Sequence, residues 1–161
     1  MTTEEHLNKI ISVAKDFDTT FEQNNLRRAK WADSFMIIQN TLVNIVNSMT
    51  SNIEFFKSNL YVVGIVDSKS DINCNSAIFV KSGNTRLDNE RHEKGFQIHF
   101  APSENGRLLC YAYGFNVPQD SDPKLFKIAI LEPDEIIQNK IHELFYEAFE
   151  KVKETSILFQ R

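Results

Sequence analysis

"GFQIHFAPSENGRLLCYAYGF", residues Gly95–Phe115, is the stretch that decides the fold of this chain. Its middle holds Asn105-Gly106, the residue pair that tolerates the positive φ of a tight hairpin turn at least cost. A two-residue turn there sets a register. Glu104 faces Arg107, Phe100 faces Tyr111, Ile98 faces Tyr113 and Phe96 faces Phe115. Side chains alternate along a strand, so these rings are expected to form one aromatic wall, sequestered beneath helices. The opposite face then carries Gln97, His99 and Ala101 against Gly114, Ala112 and Cys110. So lightly covered a face admits a close backbone neighbour. The alternative is that it floors a groove with His99 as its polar handle.

Outward from the hairpin, the period of the pattern separates strands from helices. "LYVVGIV" (60–66) is β-branched and apolar on both faces, which predicts a central strand. "SAIFVK" (76–81) and "LFKIAIL" (125–131) predict two more, the latter with Phe126, Ile128 and Ile130 on one face. Polar, turn-forming segments separate them. One is long and charged, Ser82–Gly95, with Arg86, Asp88, Glu90, Arg91, His92 and Glu93.

Before the strands, apolar residues recur at three- and four-residue spacing. Leu7, Ile10, Ala14, Phe17 and Phe21 come first, then a polar break at Asn24 and Arg28, then Trp31, Phe35, Ile38, Leu42, Ile45 and Met49. This is a heptad frame. It fits one long helix over about Thr3 to Phe56 or a helical hairpin turning at Gln23-Asn24-Asn25. A continuous helix of that length would reach roughly 80 Å and require a partner chain. Thr2 and Glu5 form a capping box at its start. After the strands, Glu132-Pro133-Asp134-Glu135 predicts the opening of a last helix, with the stripe Ile137, Ile141, Leu144, Ala148 and Val152.

The order predicts an α+β fold: an N-terminal long helix or helical hairpin, a five-stranded antiparallel meander, and a C-terminal helix packed on the sheet. One domain is expected over 1–161, with helical (1–58), sheet (59–131) and C-terminal helix (132–158) regions.

Composition narrows the function. Net charge is −4, which argues against a general nucleic-acid or anionic-membrane binder. No apolar run approaches a membrane span, and Cys74 and Cys110 lack metal or redox spacing. A reduced, cytoplasmic protein is expected, with no cofactor and no metal. The triplet Asp67, His92 and His99 would need three separate segments to converge on an ion. His92 beside its carboxylate neighbours could act as a base, but charged loop residues are mostly just solvated. No nucleophile elbow or phosphate-cradling loop occurs.

Two functions remain. One is a non-enzymatic interaction module (adaptor, inhibitor, immunity or scaffold type) that binds a protein partner or itself. Its interface would be Trp31, Phe35, Ile38, Leu42, Ile45 and Met49; thirteen Phe residues suit such a surface. The other is a small-molecule sensor with a pocket between sheet and helices, lined by Gln97, His99, Cys110 and Ala112, with Arg86 and His92 on a covering loop.

Overall fold

A computed structural model of the chain describes residues 1–67, 72–81, 93–115 and 123–160. Two helices come first, α1 (Thr3–Arg28) and α2 (Trp31–Asn52). Five strands follow, β1 (Leu60–Asp67), β2 (Ile72–Val80), β3 (Gly95–Pro102), β4 (Leu108–Tyr113) and β5 (Leu125–Leu131), and then α3 (Gln138–Thr155). Each strand pairs antiparallel with the next, in the order β1-β2-β3-β4-β5. The fold is therefore α+β, a meander with helices before and after it. β1 is an edge strand, not the central strand that its two-faced apolar pattern predicts; β3 holds the centre.

Helices α2 and α3 lie side by side on one face of the sheet, α2 over β1 and β2, α3 over β3 to β5. The core between them takes Ile38, Leu42 and Val46 from α2 and Ile141, Leu144 and Val152 from α3. Phe79, Phe96, Ile98 and Phe100 rise from the sheet to meet them. At one end, Phe55 and Phe56 reach over Phe79 and Phe96, and Phe115 and Phe149 complete a set of rings 5–6 Å apart, mostly tilted or edge-to-face. Much of the phenylalanine excess is spent there.

The hairpin that decides the fold is present, with one residue more in its turn than expected. Gly106 N donates to Ser103 O at 2.9 Å, and Ser103 N donates to Arg107 O at 2.8 Å. Glu104 and Asn105 take the central turn positions, and Gly106 follows with φ +78°. Asn105 Oδ1 locks the turn by accepting from the Arg107 amide and the Ser103 hydroxyl. The register moves by one: Phe100 faces Cys110, Ile98 faces Ala112, His99 faces Tyr111 and Gln97 faces Tyr113.

A one-residue shift exchanges the faces of β4 relative to β3. The expected wall is thereby divided. Phe96, Ile98 and Phe100 stay in the core, opposed by the small residues Cys110 and Ala112, and this lets Ala148 of α3 come close. Tyr111 and Tyr113 go to the other face. There both are half-buried, whereas under the helices each phenol would need a buried partner.

Two further differences have local causes. A bulge at Cys110/Tyr111 shifts the β4–β5 register, so Ala129 and Leu131 turn toward the core and Ile130 is exposed. At the C-terminal end, Glu132 caps a short 3-10 turn, Pro133–Glu135, and the chain is extended at Ile136–Ile137 before α3 begins. Ile137 is consequently exposed, while Ile136 is buried.

Candidate functional site

The N-terminal pattern resolves into two helices that are used differently. The chain stays in the right-handed helical region through Ala29 and Lys30, so α1 runs into α2 across a loosened turn. Lys30 N bonds Arg27 O there, three residues back instead of four. No reversal occurs at Gln23-Asn24-Asn25. Helix α1 lies against neither α2 nor the sheet over its length, and none of its residues is buried.

Helix α2 turns most of its stripe into the core. Trp31, Ile38 and Leu42 are buried in the core, and Phe35, Ile45 and Met49 are half-buried, the last two packed against the core. Five of the six residues expected at an interface thus lie in the core or pack against it, because α2 is the cover of β1 and β2. The part of the heptad frame left in the open is on α1. Leu7 is 55% exposed, Ile10 63%, Phe17 74% and Phe21 63%. The heptad frame includes these residues, but the expected interface set was drawn from α2 alone. The polar break at Asn24–Arg28 was the available sign that the stripe changes use.

Among the described residues, the chain is fastened at the last turn of α1 and the link that follows it. Arg27 Nε bonds Glu132 at 2.9 Å, and Lys30 Nζ bonds Asp134 at 3.0 Å. Gly106 of the hairpin turn presses on the same turn: a Cβ on it would lie 2.5 Å from Arg27 Cβ and 2.9 Å from Asn24 O. Between the hairpin turn and the open stripe runs a groove of about 440 Å³, lined by Phe17, Phe21, Asn24, Arg28, Glu104 and Asn105.

The second open region is the sheet face away from α2 and α3. The residues expected to share a pocket are divided by the register shift. Gln97 and His99 lie on this face, whereas Cys110 and Ala112 point into the core. Arg86 and His92 lie outside the described residues, as does most of the charged segment, and so does the side chain of Asp67. Glu93, at the end of that segment, is buried and accepts from Lys81 Nζ, the Ser156 hydroxyl and the Ile157 amide. It anchors the C-terminal turn to β2.

His99 sits at the centre of the open face. Its Nε2 is 2.8 Å from Gln97 Oε1, which can only accept, so Nε2 carries the proton. Nδ1 then accepts from the Ser76 hydroxyl at 2.6 Å. The ring stacks on Tyr111 at 4.9 Å and meets the edge of Tyr113 at 5.7 Å. Burial among these groups lowers the His99 pKa, which keeps the ring neutral at pH 7. The connectivity is that of a nucleophile, a base and an orienting group. Ser76, however, is 1% exposed, so no substrate carbon can reach its hydroxyl. Beside this cluster a groove of about 580 Å³ lies along β4 and β5, with Leu109, Tyr111, Tyr113, Leu125, Lys127 and Ile130 among its walls.

Among the described residues, no group of three histidine, cysteine, aspartate or glutamate side chains could hold a metal ion. No helix there is long and apolar enough to cross a membrane. Comparison with known protein families, characterised proteins and solved structures finds no match to this chain.

Proposed function

We propose that this chain is a non-enzymatic protein-interaction module that self-associates through its N-terminal helical region. One observation carries the reading. A 26-residue helix leaves Leu7, Ile10, Phe17 and Phe21 open along one stripe and buries none of its own residues. A helix without tertiary contacts is marginal in water, and its stability normally comes from packing its apolar face. Contiguous apolar surface of this extent on a folded protein marks an interaction site. Covering it is favourable by about 25 cal/mol per Å², less the costs of association. Adaptor, inhibitor, immunity and scaffold roles all use such a surface.

The test is mass by light scattering across a range of concentrations, for the wild type and Phe17→Asp. Association of the wild type and its loss in the variant, with an unchanged urea midpoint in dilute protein, support the reading. A wild type that stays monomeric at the highest concentrations ends it.

A competing reading is small-molecule sensing. The groove along β4 and β5, with Tyr111, Tyr113 and Lys127 in its wall, favours it. A metabolite screen by thermal shift tests it, since a ligand at 100 times its Kd adds about 2.7 kcal/mol of stability. A shift that survives Tyr111→Ala would place the ligand elsewhere.

A further inference from the structure

We infer that a second copy of the chain pairs antiparallel with the first along α1, about a two-fold axis level with Lys15 and Asp16, its first turn entering the groove beside the hairpin turn. This rests on the reading that α1 self-associates, and adds the direction and the register of the pairing.

Side-chain size argues for the direction. In the heptad frame Leu7, Ala14 and Phe21 occupy one core position and Ile10, Phe17 and Asn24 the other. Parallel pairing would set Phe17 against Phe17 and Ala14 against Ala14, crowding one layer and leaving a void in the next. Antiparallel pairing mixes the two positions. Ala14 then meets the second copy's Phe17, Ile10 meets its Phe21, and Leu7 meets its Asn24. Every layer combines a larger side chain with a smaller one, as close packing requires.

Charge argues the same way. Glu4 and Glu5 stand in the first turn of α1, and Arg27 and Arg28 in the last. Antiparallel pairing brings each copy's acidic turn level with the other's basic turn and opposes the two helix dipoles. Parallel pairing stacks like charges. Arg28 has no ion pair of its own among the described residues, and it lines the groove that receives the second copy's first turn. The incoming Leu7 comes level with Asn24, inside that groove.

The area suffices. Sequestered phenylalanine rings bury about 150–250 Å² each, so Phe17 and Phe21 at their exposures supply roughly 200–300 Å² per copy. With Leu7, Ile10 and Ala14 the two copies together bury about 1,000 Å², the threshold of a specific interface.

The experiment uses the full chain carrying Cys74→Ser, with Ile10→Cys or Phe21→Cys added; both added positions are exposed. Mild oxidation of a one-to-one mixture should give a disulfide-linked pair containing one of each variant. Neither variant alone should link, because two copies of residue 10 would stand about 16 Å apart along the axis. Since Phe21→Cys removes a stripe ring, a spin label on Asn8→Cys provides a second readout, with an expected axial separation of about 22 Å between copies. Linking of Ile10→Cys to itself, or spin labels side by side, overturns the direction and leaves self-association standing. A monomeric mass for the wild type, with no linking in any mixture, overturns the pairing and the proposed function together.

Discussion

Arg27 Nε lies 2.9 Å from one carboxylate oxygen of Glu132, and Arg107 Nε lies 2.7 Å from the other. One side chain thus ties the last turn of α1, the exit of the β3–β4 turn and the end of β5. These are the three elements that meet where the open helix leaves the sheet domain. The hydrogen bonds from Arg107 and Arg27 hold the Glu132 carboxyl below the usual carboxylate range.

A depressed carboxyl pKa means that the contact is at full strength above the ordinary value and is lost as pH falls through the lowered one. Acidification below about pH 4 should therefore release α1 from the domain before the core unfolds. Amide exchange at residues 24–31 would show it, rising in acid while the strand amides stay protected. Glu132→Gln should produce the same loosening at pH 7. If exchange at that corner is unchanged in the variant, the clamp contributes nothing to the attachment of α1.

Gly106 is the other half of this corner. Its φ of +78° is costly for any residue with a Cβ, and that Cβ would strike Arg27 Cβ and the Asn24 carbonyl. Gly106→Ala should destabilise the protein by about 1–3 kcal/mol, read as a lower midpoint in urea. Gly64→Ala serves as a comparison. Its Cβ would meet the far end of the Gln39 side chain, which can move aside. A Gly106 variant as stable as the wild type would mean that the turn docks differently.

These two residues also mark where the sequence is legible and where it is not. Asn105-Gly106 announces a hairpin, and the strands on either side of it lie where alternation places them. The same dipeptide fits a two-residue turn or a longer one ending in a positive-φ glycine. In the longer turn, Gly106 packs against Arg27 and Asn24, dozens of residues away, a contact that the local sequence does not announce. One residue of register decides whether Tyr111 and Cys110 face water or core, so the small face expected around His99 could not survive the longer turn. The heptad frame of residues 7–49 was readable as helix. The polar break at Asn24–Arg28 marks where its core half and open half divide, but which half is covered was not readable, because only the sheet determines how much of the stripe it can cover.

His99 gives a second dependence on pH. Its pKa is lowered by burial, so between the ordinary value near 6.5 and the lowered one the unfolded chain binds the extra proton. Stability should be constant above about pH 7 and decline as pH falls through 6.5. His99→Gln removes the titrating group and should flatten the pH 5–7 part of the stability curve, measured by urea unfolding at each pH. An unaltered slope would assign the effect to another group.

The thiols should report the sheet's two faces. Cys110 is buried beneath α3, and burial pushes its thiol up to about 12, with the charge of Glu147 adding to it. Cys74 is half-buried near the Ser76 hydroxyl, and its pKa is raised mainly by burial. In a thiol-exchange assay at pH 8, Cys74 should react slowly and Cys110 only as fast as the protein unfolds. Two equally rapid thiols would place Cys110 on the open face, where the two-residue turn would have put it.

The sharpest separation of core from interface compares Leu42 with Phe17, which belong to one heptad frame. Leu42 is fully buried between α2 and the sheet, so Leu42→Ala should cost about 2–5 kcal/mol in the protomer itself. That loss should be independent of protein concentration. Phe17 touches solvent, so Phe17→Asp should leave the unfolding midpoint of dilute protein unchanged. At high concentration the wild type should gain stability from association by mass action and the variant should not. Urea titrations of the three proteins at two concentrations distinguish the roles. Were Leu42→Ala to lower stability only in concentrated protein, the buried half of the stripe would be an interface after all, and the assignment of α2 to the core would be wrong.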